Sequence, residues 1–156
     1  VVGSGWLRDN LGMKEIKRSA LVAATPARMF DMINDVARYP DFVPWCESTR
    51  IVSQSERSMV ATLAVKRGPL QFEFTTRNQL QPHDRIDLSL EGQSLLRTLA
   101  GTWSITPVGA AGCRIELTLR FEFANRLSAI MFEPLFGETA GSLVDAFVER
   151  ARQPAA

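Results

Sequence analysis

The chain of 156 residues holds one histidine, His83, and two cysteines, Cys46 and Cys113. A zinc site needs three or four such ligands at short spacings. Here the thiols stand far apart with no Cys-x-x-Cys pair, so no metal is expected and both are expected to be buried and reduced. Proton transfer needs convergent titratable groups. The inward-facing rows traced below carry neither a carboxylate nor a histidine, and His83 follows Pro82 in an expected solvent-exposed turn. Catalysis and a catalytic cofactor are therefore not expected. What these residue types can do is hold something apolar. Residues 39–46 read Tyr-Pro-Asp-Phe-Val-Pro-Trp-Cys. Two prolines fix φ and bias their predecessors to extended geometry, which predicts a stiff loop presenting Phe42, Val43 and Trp45 along one edge. Such a loop either folds onto the core or is kept for a ligand.

The elements that must position this loop follow from periodicity. Residues 15–22 alternate, with Ile16, Ala20 and Val22 on one face, and predict a first strand. Thr25-Pro26 predicts a helix start, with a hydroxyl cap and then proline at the first helical position; Phe30, Ile33 and Val36 are its apolar residues. After the proline loop, strands are predicted over 47–54 and 58–66. Cleaner alternation follows: Leu70, Phe72, Phe74 and Thr76; then Ile86, Leu88 and Leu90; then Leu99, Gly101, Trp103 and Ile105. A last row runs from Cys113 to Phe123. Turn signals at Arg67-Gly68-Pro69, at 81–84 and at the glycine-rich 109–112 make this an antiparallel meander, apolar on one side. A long helix is predicted over 125–150, kinked at Pro134, with Leu127, Ile130, Met131, Leu135, Ala140, Leu143, Val144 and Phe147 as one apolar stripe. The fold class is α+β: six to seven antiparallel strands curved around a long C-terminal helix. A curved sheet gripping one helix leaves room at its ends. The large aromatics with Gly101 between them either fill a solid core or line a tunnel of roughly 300–1,000 Å³.

Composition bounds the partners. An apolar fraction of 46%, a charged fraction of 22% and a formal net charge of +1 describe an ordinary globular domain, with no global field to recruit DNA or an anionic membrane. No apolar run approaches the ~18 residues that span a bilayer. Residues 1–12 lack a basic start and an apolar centre, so they are read as a flexible extension rather than a secretory signal, and Trp6 within them as no site. Residues 13–152 are expected to form a single domain.

Four separated segments then agree in order and spacing with one family: YPDFVPWC, FEFTTRNQL (72–80), LEGQSLLRTLAGTW (90–103) and LRFEFANRL (119–127). Over residues 14 to about 151 the chain resembles the coenzyme Q-binding branch of the START-like, helix-grip superfamily, which also contains the polyketide cyclases. That branch includes the bacterial ribosome association (persistence and stress-resistance) toxins. The resemblance implies a non-catalytic, cytoplasmic protein, peripheral at the inner membrane when it collects ligand, that binds ubiquinone or another isoprenoid lipid and supports respiration. The alternative it implies is a toxin that binds the large ribosomal subunit and blocks subunit joining. Trp45 has the form found in quinone-binding members, which leans towards the lipid. In that case Phe42, Val43 and Trp45 line the entrance and Phe72, Phe74, Trp103, Phe121, Met131 and Leu135 the interior. Thr76, Asn78 and the Trp103 indole are candidate donors to headgroup carbonyls. On the outer strand faces Arg77, Arg114 and Arg120 alternate with Glu73, Glu116 and Glu122, the pattern of a solvated surface rather than an RNA-binding one. Basic pairs at Lys14, Lys17 and Arg18 or at Lys66 and Arg67 are what remains for a ribosomal contact.

Overall fold

The structure, a computed structural model, describes residues 13–92 and 94–153. The expected extension 1–12, with Trp6, lies outside them. Strand β1 (Lys14–Val22) is followed by helix α1 (Pro26–Asn34), which starts where the sequence predicts. The Thr25 side chain accepts a hydrogen bond from the Arg28 amide at 3.2 Å, and Pro26 sits in the first turn, where a missing N–H leaves no ladder bond unmade. Met29, Phe30 and Ile33 form its buried face.

The segment that follows differs from expectation. Instead of a loop, Val36–Arg38 forms a 3₁₀ turn and Tyr39–Phe42 one turn of helix, α2. Pro40 is tolerated because it too occupies a first helical turn. The helix ends as Val43 takes extended geometry ahead of Pro44, and its amide closes the turn onto the Tyr39 carbonyl at 2.8 Å.

Strands β2 (Cys46–Gln54), β3 (Ser58–Arg67), β4 (Leu70–Gln81), β5 (Arg85–Glu91), β6 (Leu96–Val108) and β7 (Gly112–Phe123) complete one sheet. All neighbours are antiparallel, in the order β1-β7-β6-β5-β4-β3-β2. Register breaks in β2 and near the start of β6 add local bend to the curved sheet. The period-two rows hold: Cys113, Ile115, Leu117, Leu119, Phe121 and Phe123 are all buried. Gly101 does not leave a gap, however. A Cβ there would lie 2.7 Å from Leu119 Cδ1 and 2.9 Å from the Thr118 carbonyl, so the place of the missing side chain is already filled by β7.

Helix α3 (Arg126–Ala151) covers the apolar face. The Asn125 side chain caps it, accepting from the Ser128 amide at 2.8 Å. Gly137 and Gly141, one turn apart, let it approach β1, where Ile16 and Arg18 lie against them. The helix runs on through Pro134 as one element. The apolar residues along it do not form one stripe. Phe136, Ala140, Val144 and Phe147 are buried, whereas Leu127, Ile130 and Met131 are 67%, 69% and 56% exposed. Met131 precedes Phe136 by five residues, or about 140° of helical rotation, and therefore points to solvent. Cys46 and Cys113 are both buried and unbridged.

Candidate functional site

Between α3 and the sheet lies an apolar cavity of about 80 Å³. The pleat of β4 sends Phe74, Thr76 and Asn78 to it, and Leu88, Leu99, Trp103, Leu117 and Leu119 continue the wall across β5, β6 and β7. From α3 come Phe136, Thr139, Ala140 and Leu143; Val36, Tyr39 and Trp45 close the side next to α2. The volume falls well short of the roughly 300–1,000 Å³ expected of a tunnel. In this shape the space suits a ring-sized group, not an isoprenoid tail. Outside it runs an open groove of about 540 Å³, lined by Phe42, Pro44, Lys66, Arg67, Asp145 and Glu149 among others. Trp45 and the helix side of Ser142 lie on this groove, and Trp45 also faces the cavity. The indole is therefore the partition between the two spaces.

Hydrogen bonds fix that partition. Trp45 Nε1 donates to Ser142 Oγ at 3.1 Å, and the same hydroxyl donates to the Thr139 carbonyl one turn earlier at 2.7 Å. Thr139 in turn donates to the Leu135 carbonyl at 2.7 Å. The Tyr39 hydroxyl donates to the Ile33 carbonyl, and its ring meets Phe147 edge-on at 5.5 Å between centroids. Burial, with the Cys46 and Asp35 charges behind it, pushes the Tyr39 phenol far above its ordinary range, so it stays neutral. Burial likewise pushes the Cys46 thiol up to about 11. On β4, Thr76 Oγ1 donates to Asn78 Oδ1 at 2.8 Å; both residues are buried. None of the lining residues is a carboxylate or an imidazole. At the rim Arg67 pairs with Glu138 at 3.2 Å, and the Arg150 guanidinium sits 4.8 Å from the centre of the Phe42 ring.

The residues singled out from sequence separate into groups. Trp45, Phe74 and Trp103 line the cavity. Phe42 lies on the outer groove. Val43 is 1% exposed and packs in the core, because the helical turn of α2 rotates it inward rather than along an edge. Phe121 is buried behind the cavity, edge-on to Phe136 at 4.8 Å. Phe72 stacks on Phe74 and leans on Phe136, a layer removed. Leu135 is half-buried against the core and outside the lining. Met131 is a correction: placed inside by its spacing, it faces solvent on the far side of α3. Sequence reading missed Phe136, Thr139, Leu143 and Tyr39. A helical wheel anchored on Phe136 and Phe147, rather than on Leu127, would have brought Phe136 and Thr139 to the buried face, where the apolar stripe already had Leu143.

A profile of the family described as polyketide cyclase / dehydrase and lipid transport matches residues 22–148. Over 141 residues the chain is 42% identical to the ribosome association toxin RatA of Vibrio cholerae, covering 90% of this chain and 97% of that protein. It is 26% identical to the mitochondrial coenzyme Q-binding protein COQ10 homolog B of Xenopus laevis, covering 90% of this chain and 60% of that one. Among solved structures, the Zhui aromatase/cyclase of Streptomyces sp. R1128 superposes with a TM-score of 0.79 at 19% identity, over 89% of this chain and 93% of that one. A START superfamily protein of Mycobacterium smegmatis superposes at 0.76 with 21% identity, over 89% and 97%. At such identities the two structures speak for the shared helix-grip fold alone.

Proposed function

Because the chain belongs to the polyketide cyclase / dehydrase and lipid transport family, we propose that it is a non-catalytic binding protein that takes the ring of a ubiquinone-like lipid into the cavity beneath α3. The observation that carries this is the lining itself: five aromatic side chains and a set of leucines, with no carboxylate or imidazole among them to move a proton. The one phenol there, Tyr39, is held neutral and already donates to a carbonyl. Apolar burial at about 25 cal/mol per Å² is enough to hold a ring and the first part of its tail after the losses of association. The tail has the outer groove beside Trp45 to follow. Collection of such a lipid requires a transient visit to a bilayer; no helix among the described residues is long and apolar enough to cross one.

A second function is favoured by a specific observation. The relative named as a ribosome association toxin is 42% identical over nearly the whole of both chains, against 26% for the coenzyme Q-binding relative. Binding to the large ribosomal subunit is that function. Several surface cations are tied to carboxylates: Lys14 to Glu133, Lys66 to Glu47 and Arg120 to Glu15. A ribosomal contact would therefore have to exchange existing ion pairs, which is easier at exposed sites where each contributes little.

Mass spectrometry of organic extracts from gently purified protein, produced in a ubiquinone-making bacterium, separates the two. Near-stoichiometric ubiquinone supports the lipid function. Empty protein that refuses added quinone and co-sediments with the large subunit at moderate salt establishes the second function and removes the first.

A further inference from the structure

The cavity is apolar except at one corner. Asn78 is 6% exposed and Thr76 5%, side by side on the inner face of β4. The Thr76 hydroxyl proton is committed to Asn78 Oδ1. The amide nitrogen of Asn78 carries two donors, and among the described residues neither meets an acceptor. The protons of the other hydroxyls on the lining are engaged as well, Tyr39 with Ile33 and Thr139 with Leu135. Across the sheet, Asn78 pairs with Leu88 and Leu88 with Gly101, which puts Trp103 two strands away and two residues along on the same inner face. Its indole N–H also meets no acceptor among the described residues. Asn34 Oδ1 is the fully buried polar atom without a partner among the described residues; the Asn78 and Trp103 nitrogens belong instead to residues that line the chamber, where their N–H groups face whatever enters it. A site with free N–H donors in an apolar wall rejects a plain hydrocarbon in favour of a ligand that brings an acceptor.

From this juxtaposition we infer that Asn78 is the specificity-determining residue of the cavity: its amide donates to a carbonyl oxygen on a ring-sized, otherwise apolar ligand, with the Trp103 indole N–H as the second donor. The inference rests on the cavity being a ligand site, and it adds the chemical class recognised there. A quinone or cyclic ketone qualifies; an alkylbenzene or a saturated chain does not. Thr76 is a positioning residue, since its hydrogen bond to Oδ1 turns the amide N–H groups towards the ligand.

The test uses the full chain and two probes with the same tail, decylubiquinone and decylbenzene, titrated against wild type and Asn78→Leu. Leucine keeps the branched four-atom skeleton and removes the donors; the added bulk of its methyl groups acts on both probes alike, so the difference between them reports the donors. Expected is a loss for decylubiquinone about five- to tenfold greater than for decylbenzene, the size of one hydrogen bond. Because Asn78→Leu also strands the Thr76 hydroxyl, the double variant Asn78→Leu/Thr76→Val is measured beside it. Infrared difference spectra of bound decylubiquinone supply a second readout: a carbonyl stretch lowered in wild type and restored in the variant supports the assignment. Equal losses for both probes, or no loss for either with an unshifted carbonyl band, overturn it while leaving the cavity as a ligand site. Wild type that binds neither probe overturns the ligand site and this inference with it.

Discussion

At the scale of single residues the site is defined by groups held in one chemical form. The Cys46 thiol and the Tyr39 phenol both have pKa values displaced upward in the folded state, mainly by burial. A group raised in this way contributes its full stability below its unfolded pKa and loses it as pH climbs through the folded value. For Cys46 that window runs from about 9 to about 11. Urea midpoints should therefore hold steady around neutrality and fall across that window, and Cys46→Ala should fall less steeply. The same displacement predicts that native Cys46 resists alkylation at pH 8, since thiolate is the reacting species; labelling followed by mass spectrometry checks it. Trp45 is nearly buried, so a charged replacement would strain the fold as well as the site. Trp45→Phe is the milder probe: it keeps an aromatic ring but removes the donor to Ser142 and part of a buried indole, and a loss of about 1–3 kcal/mol in chemical unfolding is expected.

At the scale of elements, caps and glycines make the fold testable. Asn125→Ala should remove about 1 kcal/mol by stranding the Ser128 amide at the start of α3. The glycines divide by what a Cβ would meet. At Gly137 it would find Ile16 Cδ1 at 3.6 Å, an ordinary contact, so Gly137→Ala should stabilise the helix by about 0.5–1 kcal/mol. At Gly101 it would collide with Leu119 and the Thr118 carbonyl, so Gly101→Ala should destabilise by about 1–3 kcal/mol. Thermal unfolding of the pair should move in opposite directions. Most elements were legible in the sequence because their signals are local: the Thr25-Pro26 cap and the period-two rows from Leu70 to Phe123 need no tertiary information. Where local signals conflicted, reading failed. Pro40 and Pro44 argued against helix, yet Tyr39–Phe42 is helical because a proline in a first turn breaks no bond. Leu127, Ile130 and Met131 were as apolar as the residues opposite them, and only docking of α3 on β1 decides which face is covered.

At the scale of the whole molecule the fold was legible and the shape of its interior was not. Alternation says which side chains face inward, but not whether they meet. Leu119 filling the place beside Gly101, and Phe136 reaching Phe72, Phe121 and Phe123, are what reduce an expected tunnel to a small chamber. Two of the chain's three tryptophans, Trp45 and Trp103, line that chamber. Decylubiquinone should therefore quench tryptophan emission saturably, and Trp103→Phe should shrink the quenched fraction.

The indole of Trp45 faces the chamber on one side and the groove on the other, latched by Ser142. In the proposed pose a tail that leaves the chamber along the groove holds this door ajar, so binding gives up the latch. Loosening it with Ser142→Ala should quicken arrival in stopped-flow and lower the dissociation constant together, while departure changes little. The bond that steadies the empty protein would then oppose its ligand.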